Sequence, residues 1–206
     1  MRLPILSVAV LAATTALTAC SGTDLAGGAG GPIVTTPTPN DRLSYREVAN
    51  ISDDIFQGIR DESPTAKVNV PTSGGASYGG TMGAELDVAG RQTDIAALMQ
   101  MDVDFGRDRV GGIIGNVVTS DGYDVDGVLT LRNGNLNRRS NSREVAIFSG
   151  VEGNLTSAAG ERITVDADLV GGFAGRNVDY VGATIDGNVF VDGRQGTIDG
   201  ADALER

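Results

Sequence analysis

The sequence predicts a mainly β protein: one eight-stranded antiparallel soluble β-barrel preceded by one short amphipathic helix. Three observations carry this expectation. From Ala76 onward apolar and polar residues alternate at period two, the mark of strands with one buried and one wet face. Turn-forming pairs punctuate that alternation as turns or bulges, at Gly111-Gly112, Asp121-Gly122, Asn133-Gly134, Ala159-Gly160 and Asp192-Gly193. The span from Ala76 to Leu204 holds eight strands at about 16 residues per strand and turn, and eight is the number at which a closed barrel is just filled by its own side chains.

Composition narrows the function before any motif is read. The 206 residues include 27 acids against 16 bases, a net charge of −11, with no His, no Trp and a single Cys. Without His there is no Ser-His-Asp triad and no His-ligated zinc or haem. One Cys cannot make an internal disulfide or a thiolate cluster. The acidic balance argues against a nucleic-acid partner, since phosphate binding needs basic surface. An enzyme is therefore not expected, and neither is a bound cofactor.

Taken in chain order, residues 1–19 read as a lipoprotein signal peptide. Arg2 precedes an apolar run from Leu3 to Leu17, too short for a mature membrane span of about 20 residues but right for a secretory core segment. The run ends Leu17-Thr18-Ala19-Cys20, which resembles the bacterial lipobox, and the chain's only Cys falls at its cleavage site. That resemblance implies cleavage before Cys20 and acylation of Cys20, a covalent lipid in place of a cofactor and a membrane as the first partner. Position 21 is Ser, not the Asp of an inner-membrane retention signal, so the outer membrane is the expected destination. Residues 20–42 are rich in Gly, Ala, Thr and Pro and read as a lipidated flexible tether.

The helix is expected within residues 43–62. Ser44 and Glu47 have capping-box spacing, Leu43 and Val48 stand at the positions of a hydrophobic staple, and Val48, Ile51, Ile55 and Ile59 form one apolar stripe. Pro64 ends the helix at the latest. A lone helix of this length is marginal, so the stripe has to pack on something.

The barrel is expected over residues 70–206. Ala97, Met99, Met101, Val103 and Phe105 alternate with Leu98, Gln100, Asp102 and Asp104; Ile163 to Leu169 and Val181 to Val191 alternate likewise. Glycines within strands, such as Gly115, Gly127 and Gly187, suit the bulges and coiling of a closed barrel. A transmembrane barrel needs apolar outward faces and aromatic girdles; here the wet face is Asp-rich and aromatics make up 4%.

Three stretches carry a more specific likeness. Val70-Pro71-Thr72-Ser73-Gly74-Gly75-Ala76-Ser77-Tyr78-Gly79-Gly80, then Val103-Asp104-Phe105 with Val110-Gly111-Gly112-Ile113, then Gly171-Gly172-Phe173-Ala174-Gly175-Arg176-Asn177-Val178 with Val181-Gly182, occur in that order. Together they resemble the transferrin-binding-protein-B-like β-barrel surface lipoproteins, here as a single-barrel member. Arg176 stands where that family's hairpin has Pro, and Ala183 where it has a second Gly. The resemblance implies a cell-surface, outer-membrane lipoprotein that binds a protein or solute ligand, with links to metal or nutrient acquisition and a TonB-dependent receptor among its partners. A structural envelope lipoprotein with no discrete ligand is the alternative.

Candidate sites are few. Arg132, Arg138, Arg139 and Arg143 lie in RNGNLNRRSNSR, a polar stretch without an acid that reads as one long hairpin loop. These arginines are the partner-contact candidates, because the guanidinium fork pairs with carboxylate or phosphate. The competing account is a solvated loop whose arginines pair with acids such as Asp124 or Asp126 on a neighbouring strand. Asp121, Asp124 and Asp126 look like a calcium-loop fragment, but position twelve is Arg132 where an EF-hand has Glu, so a hairpin turn is expected and no metal. Asp102, Asp104 and Asp108 could be paired catalytic carboxylates; the first two share one strand face, which reads as a solvated outer surface.

Overall fold

The computed structural model describes residues 37–139 and 142–206. Helix α1 (Tyr45–Asp61) is followed by a short 3-10 turn (Lys67–Asn69) and eight strands. These are β1 (Gly75–Val88), β2 (Arg91–Asp104), β3 (Arg109–Thr119), β4 (Asp124–Asn137), β5 (Ala146–Thr156), β6 (Arg162–Ala174), β7 (Tyr180–Val191) and β8 (Arg194–Glu205). Each strand pairs with the next, and β8 pairs antiparallel with β1, so the sheet closes into a barrel. Cys20, where lipidation is expected, the expected signal peptide and the expected tether up to residue 36 lie outside the described residues.

The local sequence explains α1. The Ser44 hydroxyl accepts from the Glu47 N–H (3.4 Å), and the Glu47 carboxylate accepts from the Ser44 N–H (2.8 Å) and hydroxyl (2.7 Å). These bonds hold the Glu47 carboxyl below the ordinary carboxylate range, the Ser44 hydroxyl contributing most. The helix lies on the outside of the barrel against β1, β2, β7 and β8. Its stripe explains a departure from simple alternation. Leu98 and Ala96 point outward from β2, yet both are buried in a small cluster with Val48 and Val118, flanked by Leu43 and Tyr45. The expectation that Leu98 belongs to the wet face is thus corrected: α1 covers it.

Residues 37–42 also lie against the barrel. Pro39 is buried, Thr38 and Asp41 form a turn, and Asn116 clamps the Leu43 backbone, its side-chain amide donating to the Leu43 carbonyl (3.1 Å) and its carbonyl accepting from the Leu43 N–H (2.8 Å). A bulge between Ile114 and Val117 turns Asn116 toward that backbone. Gly115 is required there, because a Cβ would come within 2.7 Å of the Pro39 carbonyl oxygen.

The two barrel ends differ. At one, Tyr78, Phe105 and Phe173 fill the interior, with ring centroids 6.1 Å (Tyr78–Phe173) and 5.9 Å (Phe105–Phe173) apart. The Tyr78 hydroxyl donates to the Val178 carbonyl (2.8 Å), and burial keeps it far above the ordinary phenol range. The segment between α1 and β1 seals this end through Thr65 N–H to the Phe173 carbonyl (2.8 Å) and Gly175 N–H to the Ser63 carbonyl (3.0 Å). At the other end, the hairpins Ala89-Gly90 and Asp192-Gly193 have positive φ at both residues, the geometry of two-residue turns that match strand twist.

Candidate functional site: the open mouth of the barrel

That other end is open. A cavity of about 370 Å³ enters the barrel between the β1–β2, β3–β4, β5–β6 and β7–β8 connections. Part of its wall is aliphatic: Leu86, Ile95, Val117, Val125, Leu155 and Ile163 are buried core residues that also line it. Period-two alternation places them there, since each continues the inward-facing series of its strand. The bulky aromatics and most of the methionines of the core sit toward the sealed end, which leaves the mouth unfilled.

The same inward-facing series end in polar residues. On β2 the series Ala97, Ile95, Thr93 runs out to Arg91, and on β8 Ile198 and Gly196 lead to Arg194; all four of Arg91, Thr93, Thr119 and Arg194 line the cavity. Two acids share the rim and both are engaged locally. Asp192 accepts from the Arg162 N–H (3.0 Å), and Glu161 accepts from the Ser157 hydroxyl (3.3 Å). Neither Arg91 nor Arg194 has an ion pair among the described residues. Sequence reading passed over both arginines, although each follows a two-residue turn and extends an apolar inward series.

The expected site residues fall elsewhere. Asp124–Asn137 is strand, so the stretch expected as one long loop is corrected: Arg132 lies on β4, and only the residues from Arg138 onward form the connection. Arg132 pairs with Glu152 across the sheet at 3.5 Å, both well exposed. Arg138 is the most buried arginine of this group. It pairs with Asp108 and donates to the carbonyls of Val70 (3.3 Å) and Pro71. The acids that meet these arginines are therefore Glu152 and Asp108, not Asp124 or Asp126. Arg139 and Arg143 are exposed, and the Arg143 carbonyl accepts from the Lys67 N–H (2.7 Å). This group belongs to the sealed end, opposite the mouth.

Asp121-Gly122 forms the β3–β4 turn, with the Gly122 N–H donating to the Thr119 carbonyl (2.8 Å), and Asp121, Asp124 and Asp126 are exposed. Among the described residues no group of three or more acids, His or Cys is placed to hold a metal ion. Asp102 accepts from the Ser77 hydroxyl (2.6 Å), and Asp104 pairs with Arg107 at 2.9 Å, whose side chain lowers the Asp104 pKa. Both serve the outer surface.

No family model matches the chain, nor does any curated protein. Solved structures do resemble it. A double mutant of transferrin binding protein B from Haemophilus parasuis Hp5 is 19% identical, with a TM-score of 0.47 over 69% of this chain and 27% of that one. A single mutant of the same protein gives 18% identity and a TM-score of 0.48 over 69% and 28%. Intact Ap-TbpB, with N and C lobes, gives 17% and 0.47 over the same shares. The chain thus spans little more than a quarter of the length of these proteins.

Proposed function

We propose that this chain is an outer-membrane lipoprotein, anchored through acyl groups on Cys20 and displayed at the cell surface, whose barrel is a binding module for a solute or protein ligand in nutrient or metal acquisition. The observation that supports binding over a purely structural role is the unfilled mouth. An eight-stranded barrel can be packed shut by its own side chains or left open for one small ligand, and this one is packed at one end and open at the other. A protein partner, such as a TonB-dependent receptor, would meet the opposite end, where Arg139 and Arg143 are exposed.

The test exposes the full chain to spent growth medium, washes it, releases bound compounds with organic solvent and identifies them by mass spectrometry. A Thr93→Phe variant, which puts a ring into the cavity, is treated in parallel. Compounds retained by the wild type and lost from the variant support the binding module. Identical sets from both favour the structural envelope lipoprotein.

A further inference from the structure

We infer that the mouth of the barrel binds a small amphipathic carboxylate, its apolar body against the aliphatic wall and its carboxylate on Arg91 and Arg194. This deepens the binding-module reading and rests on it. The strands argue first. Arg91 and Arg194 occupy inward-facing registers of β2 and β8, the two neighbours of β1, where a solvated surface arginine would stand on the outward series. Val88 of β1 pairs with both Arg91 and Gly196, two residues from Arg194. At about 4.8 Å per strand and about 3.4 Å per residue the two arginine Cα atoms lie roughly 12 Å apart, within reach of two long side chains meeting on one group.

Charge argues second. The chain carries −11 overall, so an anion is drawn only where arginines stand free of ion pairs. At the mouth the acids Glu161 and Asp192 are held by donors of their own, and Arg91 and Arg194 have no ion pair among the described residues. With two cations facing two acids, a single negative charge suits the rim better than a phosphate dianion. The planar guanidinium fork matches a carboxylate.

Shape argues third. A volume of about 370 Å³ lies at the small end of ligand sites, which run from about 300 to 1,000 Å³. The buried Leu, Ile and Val part of the wall takes a short hydrocarbon body, and the polar lining is gathered toward the rim, where a charged head would lie.

The experiment uses the full-length chain carrying Cys20→Ser, so that no detergent competes, and titrates octanoate, octanol and octyltrimethylammonium by calorimetry. Octanoate is expected to bind at least tenfold more tightly than octanol, and the cation more weakly than either. Arg91→Gln with Arg194→Gln should weaken octanoate binding tenfold or more, leave octanol unchanged, and leave the urea midpoint where it was, since both arginines are exposed. Equal affinity for octanoate and octanol, or undiminished octanoate binding in the double variant, overturns the carboxylate assignment while the binding module stands. Failure of all three probes to bind overturns the mouth as a site for amphiphiles; the module is then judged by the compounds released from the Thr93→Phe comparison.

Discussion

Arg138 and Asp108 form an ion pair that ties the β4–β5 connection to the turn before β3, 30 residues away. Arg138 is 18% exposed and Asp108 43%, and the same guanidinium reaches the Val70 and Pro71 carbonyls of the segment leading into β1. One side chain thus laces three segments across the sealed end. Arg139, the next residue, points into solvent.

Adjacent arginines should therefore behave differently. Hydrogen bonds to a charged group contribute roughly 1.5–3 kcal/mol where solvent is partly excluded. Arg138→Ser should lower stability by about 2 kcal/mol in urea unfolding, and Arg139→Ser by less than about 0.5 kcal/mol. An Arg138→Ser protein as stable as the Arg139→Ser protein would show that the lacing contributes nothing.

Leu98 provides a test of the helix dock. Its outward register would make truncation nearly neutral on a solvated face. Beneath α1 it is fully buried with Val48 and Val118, so Leu98→Ala should cost about 2–5 kcal/mol. Hydrogen exchange should accelerate in α1 more than in β5 and β6, which face away from it. Uniform acceleration would place Leu98 in the barrel core instead.

What the sequence made legible was local. The capping box of Ser44 and Glu47 and the stripe of Val48 and Ile55 are written within one helix, and the turn at Asp192-Gly193 within two residues. What stayed hidden depended on closure. Leu98 is covered by a helix about 50 positions earlier, and Arg138 finds its acid across a gap no spacing rule spans. The mouth was hidden for another reason: an empty volume follows from which strand ends come together, and no single stretch records what fails to fill it. Arg91 and Arg194 carry a signal only once their registers are known to face inward.

Cys20 is expected to be the lipidated N-terminus. Intact mass of the membrane-extracted protein should show cleavage before Cys20 together with acyl chains. Cys20→Ser should release the protein from the membrane fraction, and continued cofractionation would remove the lipid anchor from the account.

Asp202 gives the strongest expected pH dependence. It points into the barrel from β8, is 0% exposed, and neither carboxyl oxygen has a hydrogen-bond partner among the described residues. Its neighbours across the sheet are Met82 on β1 and Ala183 on β7, which offer no compensating charge. Burial alone pushes its pKa up to about 8. In the unfolded chain the same carboxyl ionises near pH ~3.9. Because the folded value is the higher one, the group costs nothing below about pH 4, where both states hold the proton. From there stability falls by about 1.4 kcal/mol per pH unit, and it levels off once the folded carboxyl ionises near pH 8. Asp202→Asn removes the titration while keeping the shape. Urea midpoints of the two proteins should nearly coincide at pH 4 and separate progressively toward pH 9, with the variant the more stable. Subtracting one curve from the other cancels the contributions of Glu47 and Asp104, whose lowered pKa values act in the acid range. Parallel curves across the whole range would mean that the Asp202 carboxylate is solvated or paired in the folded protein.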